Sequence, residues 1–252
     1  MKQFFSIFLL LVYSCCANAQ NVVYDSSKDA LNFGAAKVSR NGGIMYGFDN
    51  EPVELEGSSY ADSTWRKGSF IFYPATKGAN AKPDTVTGFT LRYDVHKGEV
   101  DILHKNKSFV ATTDMLKGFF YKENIKIAYH YFVNTNDYKD GIDDFKGFIE
   151  VLSNGRMKLF KYYYTVLKKP DFNPALNVGT KNYVLNQRTQ YYFGSGTILQ
   201  KLDSGKAAYI CEQVFGDKSG IMQEYAKKQN LSMKKEDDLI RLFNYFNEIY
   251  SK

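Results

Sequence analysis

Residues Gly147 to Lys168, GFIEVLSNGRMKLFKYYYTVLK, read as one long β-hairpin, and the rest of the chain must be arranged around it. Asn154-Gly155 is a strong hairpin signal, because a type I′ turn needs positive φ at both central residues and Asn and Gly tolerate it. The flanking arms are rich in β-branched and aromatic residues that fit a pleated surface. A two-residue turn sets Leu152 opposite Met157, Glu150 opposite Leu159 and Phe148 opposite Lys161. The other face then carries Ile149 with Phe160, Val151 with Lys158 and Ser153 with Arg156. Both faces are partly apolar, whereas a sheet with one wet face alternates cleanly. Something therefore covers the second face: another sheet, or the helices at the C-terminal end.

Further strands are expected at Gly68–Tyr73, Thr85–Val95, Val100–Leu103, Phe109–Thr112 and Lys126–Val133, with a turn at Lys97-Gly98. A last hairpin is expected from Thr189–Phe193 and Thr197–Leu202 across Gly194-Ser195-Gly196. After Ser204 the spacing becomes helical. Lys206–Phe215 is ended by Gly216, Asp217 is placed to cap a second helix to about Gln229, and Ser232 to cap a third. Leu239, Leu242, Phe243, Phe246 and Ile249 recur at helical spacing and form one apolar face. Strands first and helices after predict an α+β fold: a mainly antiparallel sheet, curved or sandwich-like, with two or three C-terminal helices. The expected division is a targeting segment over 1–19, an irregular lead-in over 20–56, and one β-rich domain over 57–252 whose helical part begins at about 205. Within the lead-in, Val22-Val23-Tyr24 is a candidate edge strand and Asn41-Gly42-Gly43 a turn.

The targeting reading rests on Lys2, the apolar run Phe4–Val12 and the small-x-small site Ala17-Asn18-Ala19, which place the mature start at Gln20. Soluble export to the periplasm or medium is favoured over a lipid anchor on Cys15, because the bulky Tyr13 fits a lipobox poorly. No later stretch approaches the about 18 apolar residues of a membrane helix. Cleavage after Ala19 removes Cys15 and Cys16 and leaves Cys211 alone of the 3 cysteines, in an apolar helical pattern that suits packing. The formal charge of +6 is scattered along the chain, unlike a nucleic-acid footprint. With 20 Tyr and 20 Phe but 1 Trp, the aromatics read first as strand and core formers and second as a stacking surface for sugars or bases.

Tyr60–Gly68, Leu91-Arg92-Tyr93-Asp94, the Phe148–Lys161 hairpin, and Glu236-Asp237-Asp238-Leu239 with Phe243-Asn244-Tyr245-Phe246-Asn247 carry a resemblance. Over roughly Tyr60 to Tyr250 the chain resembles a group of exported proteins of Gram-negative bacteria that has no assigned activity. The resemblance implies packing and turn patterns and supplies no catalytic residues.

Candidate chemistry is sparse. His96 with Asp94 or Asp101, and His104 across the same proposed hairpin, are candidate zinc ligands, since imidazole and carboxylate suit that ion. The acidic loop Asn134–Asp144 suits a hard cation: Gly141 as the turn glycine would place Asn136 and Asp140 as ligands. Tyr138 occupies a ligand position, however, and Gly147 stands where a bidentate Glu is required, so the loop is not an EF-hand. Gly194-Ser195-Gly196 lacks the spacing of a nucleophile elbow, and Cys211 has no evident histidine partner. No catalytic residue or cofactor is assigned. The expected function is a non-enzymatic envelope protein with a structural or protein-interaction role. The alternatives are a carrier of a lipophilic molecule in the concavity of a curved sheet, and a hydrolase of an envelope polymer. The expected partners are an envelope protein or a lipophilic ligand, not nucleic acid.

Overall fold

Long alternating segments in this chain form strands, and a computed structural model describes them over residues 55–74, 84–123, 129–138 and 145–250. The targeting segment with Cys15, nearly all of the lead-in, and Asp140 lie outside the described residues. By contacts the chain divides after Leu55, and the architecture below is that of Glu56–Lys252.

The strands are β1 (Leu55–Gly57), β2 (Arg66–Phe72), β3 (Asp84–Asp94), β4 (Glu99–His104), β5 (Lys107–Ala111), β6 (Leu116–Lys122), β7 (Tyr129–Asn134), β8 (Phe148–Ser153), β9 (Lys158–Lys168), β10 (Tyr183–Gly194) and β11 (Gln200–Lys201). They form one sheet in the order β1-β10-β9-β8-β7-β6-β2-β3-β4-β5, with β11 beside β10. Every pairing from β2 onward is antiparallel. Two meanders, β2–β5 and β6–β10, are therefore joined at the β2/β6 pair. The helices follow: α1 (Ala207–Phe215) runs through a 3-10 turn at Gly216–Lys218 into α2 (Ser219–Lys228), and α3 (Glu236–Ile249) closes the chain. The expected α+β class, a mainly antiparallel sheet followed by helices, is what the chain adopts.

Several local expectations change. Strand β6 has no counterpart in the sequence reading, because Gly118 interrupts its apolar pattern; the gap is filled from outside, since a Cβ at Gly118 would overlap the Phe132 carbonyl of β7. The expected last hairpin forms but is short on one side: β10 pairs with a two-residue β11 at Tyr192↔Lys201 and Phe193↔Gln200, and β10 itself is longer than expected and pairs along the whole of β9, from Val184↔Lys168 to Gly194↔Lys158. Ser232 does not cap α3. Its backbone N–H donates to Asp238 Oδ2 at 2.9 Å, and the helix begins at Glu236 with three acidic residues in its first turn, where the helix dipole favours them. Asp217 lies in the 3-10 turn and pairs with Lys218 at 2.9 Å instead of capping α2.

The central hairpin is also paired differently. Glu150 faces Lys161 and Val151 faces Phe160, then an irregularity passes over Leu152 so that Ser153 faces Leu159. Asn154 is not at positive φ, so the turn is not type I′. Helix α3 sets the alternative. Asn247 Oδ1 accepts from the Met157 N–H at 2.9 Å and its Nδ2 donates to the Met157 carbonyl at 2.8 Å, while Ser153 Oγ donates to Asn244 Oδ1 at 2.7 Å. These bonds hold a wider loop open.

One face of the sheet carries two apolar cores. The first is made by the sheet alone: Phe70, Leu91, Tyr93, Phe119, Phe132 and Phe148 are essentially inaccessible. A flat sheet would hold β3 and β8, four strands apart, about 19 Å from each other. Yet the Tyr93 hydroxyl accepts from the Phe148 N–H at 2.9 Å and donates to its carbonyl at 3.1 Å. The second core joins Leu159 and Phe193 to helix residues Ile210, Val214, Phe215, Met222, Leu242, Phe243 and Phe246. Each fully buried aromatic or aliphatic side chain is worth about 1.5–3 kcal/mol. On the opposite face of β8–β10, Ile149, Phe160, Tyr192 and Leu199 form a smaller cluster with Tyr138, Phe145 and Tyr162 packed on it. Both faces of the central hairpin are thus covered. Ile249, expected on the apolar face of α3, is 40% exposed.

Candidate functional site

Between the two cores, on the same sheet face, lies a seam of ionisable groups. The alternation of β8 puts Glu150 between Phe148 and Leu152, and that of β9 puts Lys161 between Leu159 and Tyr163. Glu150 is 3% exposed. Its two oxygens are both occupied: His130 Nδ1 donates to Oε1 at 2.5 Å and Tyr163 Oη donates to Oε2 at 2.6 Å. Tyr121 stacks on the His130 ring, with centroids 5.0 Å apart. Lys161 Nζ lies 5.0 Å over the Tyr163 ring and 2.8 Å from Glu236 Oε2, which also accepts from Tyr191 Oη at 2.7 Å.

The electrostatics agree with this pairing. The hydrogen bond to Glu150 raises the His130 pKa, against the opposing effect of burial, and Glu123 4.0 Å from Nε2 adds to the rise. Burial first and Glu150 second raise the Tyr163 phenol, so it stays a donor. An uncompensated buried carboxylate costs several kcal/mol, and here charge-assisted bonds offset that cost. The seam therefore joins the cores. Among the described residues no serine, threonine or cysteine is bonded to His130 as a nucleophile.

The outer face of β3, β2, β6 and β7 is different. Register builds two rows across it. One contains Thr90 opposite Lys67 and Lys122 opposite Tyr129; the other contains Ser69 opposite Phe120 and Phe120 opposite Tyr131. The Phe120 ring lies 6.2 Å from Tyr129 and 6.4 Å from Tyr131. Tyr129 is 63% exposed. Lys67, Ser69, Thr90, Phe120, Lys122 and Tyr129 line an open cleft of about 380 Å³, at one edge of which Gly88 contributes no side chain.

Among the described residues the candidate zinc ligands fall in different surroundings, and Asp140 lies outside the described residues. His96 sits in the β3–β4 turn and contacts Thr165 Oγ1 at 2.8 Å, whereas His104 ends β4 and packs on Phe89 with centroids 5.1 Å apart. Asp94 accepts from the backbone N–H groups of His96 and Lys97 and from Ser59 Oγ, and Asp101 accepts from Arg92 and Tyr60. Both carboxylates thus hold the hairpin. Among the described residues no three His, Cys, Asp or Glu side chains are placed to share a metal ion. Cys211 is buried in α1, and burial pushes its thiol up to about 11, so it stays protonated at neutral pH. Ser195 lies in the loop after β10. No described helix is long and apolar enough to cross a membrane.

Sequence reasoning missed the seam because it set Glu150 against Leu159, and missed the outer cleft because β6 was not expected. The available signal was the aromatic run Phe119-Phe120-Tyr121, whose alternation gives two rings to the inner core and one to the outer face. Comparison with protein-family models, with curated proteins and with solved structures gives no match to this chain.

Proposed function

We propose that this chain is an exported, non-enzymatic binding protein of the cell envelope, acting through the outer face of its sheet. The observation that carries this reading is the contrast between the faces. The inner face of β2–β8 is filled by its own side chains, with Phe70, Tyr93, Phe119, Phe132 and Phe148 at 0–1% exposure. The outer face presents Phe120, Tyr129 and Tyr131 beside an open cleft. The bend implied by the Tyr93–Phe148 bonds makes the sheet curved, with its concavity occupied, which speaks for surface recognition over carriage of a lipophilic molecule within. The saturated hydrogen bonding of Glu150 speaks against that carboxylate as an acid or base in hydrolysis.

Native mass spectrometry of the mature chain recovered from its own envelope or medium tests the reading. The expected result is a chain beginning at Gln20 without a bound small lipophile. An extra lipophilic mass released on unfolding would replace this reading with the carrier, and a chain retaining Met1 would remove export from it.

A further inference from the structure

The outer cleft contains a juxtaposition that folding alone does not favour. Gly68 pairs with Tyr121, and that antiparallel register continued by one residue sets Lys67 beside Lys122 on the outer face, where both line the cleft. Like charges directly across a strand pair destabilise a sheet. Neither lysine makes an ion pair within the described residues, and both are exposed. Two other cations of the sheet are matched, Arg92 by Asp101 at 3.0 Å and Lys161 by Glu236 at 2.8 Å. The two lysines share their cleft with the ring of Phe120, the exposed ring of Tyr129, and the hydroxyls of Ser69 and Thr90.

We propose that this cleft binds a polysaccharide carrying uronic acids, with a pyranose ring against Phe120 and Tyr129 and its carboxylate between Lys67 and Lys122. The proposal rests on the outer-face binding role above and names its ligand. The C–H face of a pyranose is apolar and flat enough to cover an aromatic ring, while its hydroxyls need polar partners at the rim. A carboxylate at the ring edge reaches past the aromatics to the cations and removes their mutual repulsion. Two lysines suit one acidic sugar per site. They do not form the extended basic track that a nucleic acid backbone requires. An acidic peptide would satisfy the lysines without supplying a ring face for Tyr129.

Isothermal titration of the folded chain with hexagalacturonate, and with maltohexaose as the neutral chain of equal length, tests this. Hexagalacturonate should bind, more tightly than maltohexaose, and should weaken as salt rises from about 50 mM to about 500 mM. The Lys67→Ala/Lys122→Ala double variant should lose about tenfold in affinity. Because it relieves a repulsion at exposed positions, its Tm should be equal or higher. Tyr129→Ala should weaken both sugars. Absence of hexagalacturonate binding up to about 10 mM, or unchanged affinity in the lysine double variant, overturns the proposal. Hydroxyl-radical footprinting of Phe120 and Tyr129 against an extract of the cell's own envelope separates the two levels. Protection without hexagalacturonate binding overturns the sugar and leaves the outer-face role; neither protection nor binding overturns both.

Discussion

The two cores on one sheet face are dried by different means. The aromatic core of β2–β8 is closed by the sheet itself: Phe119 and Phe132 stack at 4.6 Å, Tyr93 packs on both, and the Tyr93 hydroxyl ties β3 to β8. Gly147 makes that tie possible, since at φ +80° it adopts a conformation few L residues accept and a Cβ there would overlap the Tyr93 oxygen. The core of β8–β10 is closed by separate elements. Phe215 packs on Phe243 at 5.4 Å and on Phe246 at 4.7 Å, and Asn244 and Asn247 fasten α3 to the hairpin. A sheet can bury one face by bending or by accepting a helical cover. Where the bend ends and the cover begins, neither excludes polar groups, and the Glu150 seam fills the gap with charges that satisfy one another.

The largest expected effect tests whether these regions are separate. Phe119→Ala empties the centre of the first core and should cost about 3–5 kcal/mol in urea denaturation. If far-UV ellipticity is lost and the buried Cys211 thiol becomes reactive in one transition, the cores unfold together; an earlier loss of sheet signal with helices intact and Cys211 still protected would show independent units. Next, Tyr93→Phe keeps the ring but leaves the Phe148 N–H and carbonyl without their buried partner, at about 2 kcal/mol. A cost near zero would mean that ring packing alone holds the bend. Asn247→Ala should cost about 1–2 kcal/mol and speed amide exchange at Met157 while leaving the first core protected. Equal loss of protection in both regions would contradict the division.

The smallest effect is at the seam and depends on pH. The folded-state pKa of His130 is raised above its ordinary 6.5. The stability it contributes is therefore fully present below pH 6.5 and is lost as pH rises through the raised folded value. His130 is half-exposed, so solvent screening keeps this contribution small. An NMR titration should place the His130 midpoint above those of solvent-exposed histidines, and His130→Gln should flatten the stability profile in that window. A midpoint at or below 6.5 would sink the idea that Glu150 holds the proton.

Much of the architecture was legible one segment at a time. The alternation of Leu91, Tyr93 and Val95 identified β3 and its buried face, and Leu239, Leu242, Phe243 and Phe246 identified the buried stripe of α3. Lys97-Gly98 marked the turn between β3 and β4, and the two apolar faces of the central hairpin announced cover on both sides. The candidate site was not legible in this way. His130 and Glu150 are 20 residues apart and meet only through the β7–β8 pair, while Lys67 and Lys122 meet only through β2–β6.

The amino-acid sequence by itself determined most of the inward-facing residues of β3, the central hairpin and α3, and where the chain passes from strand to helix. These properties follow from side-chain period and local backbone preference, which act within a few residues. Only the tertiary structure decided the register of the central hairpin, the joining of the meanders, the bend and the seam. Each depends on a partner distant in the chain: Asn247 reshaping the Asn154-Gly155 turn, Gly118 making room for the Phe132 carbonyl, Phe148 receiving Tyr93. A local pattern specifies a face, but the energy that chooses a register comes from contacts the pattern does not contain.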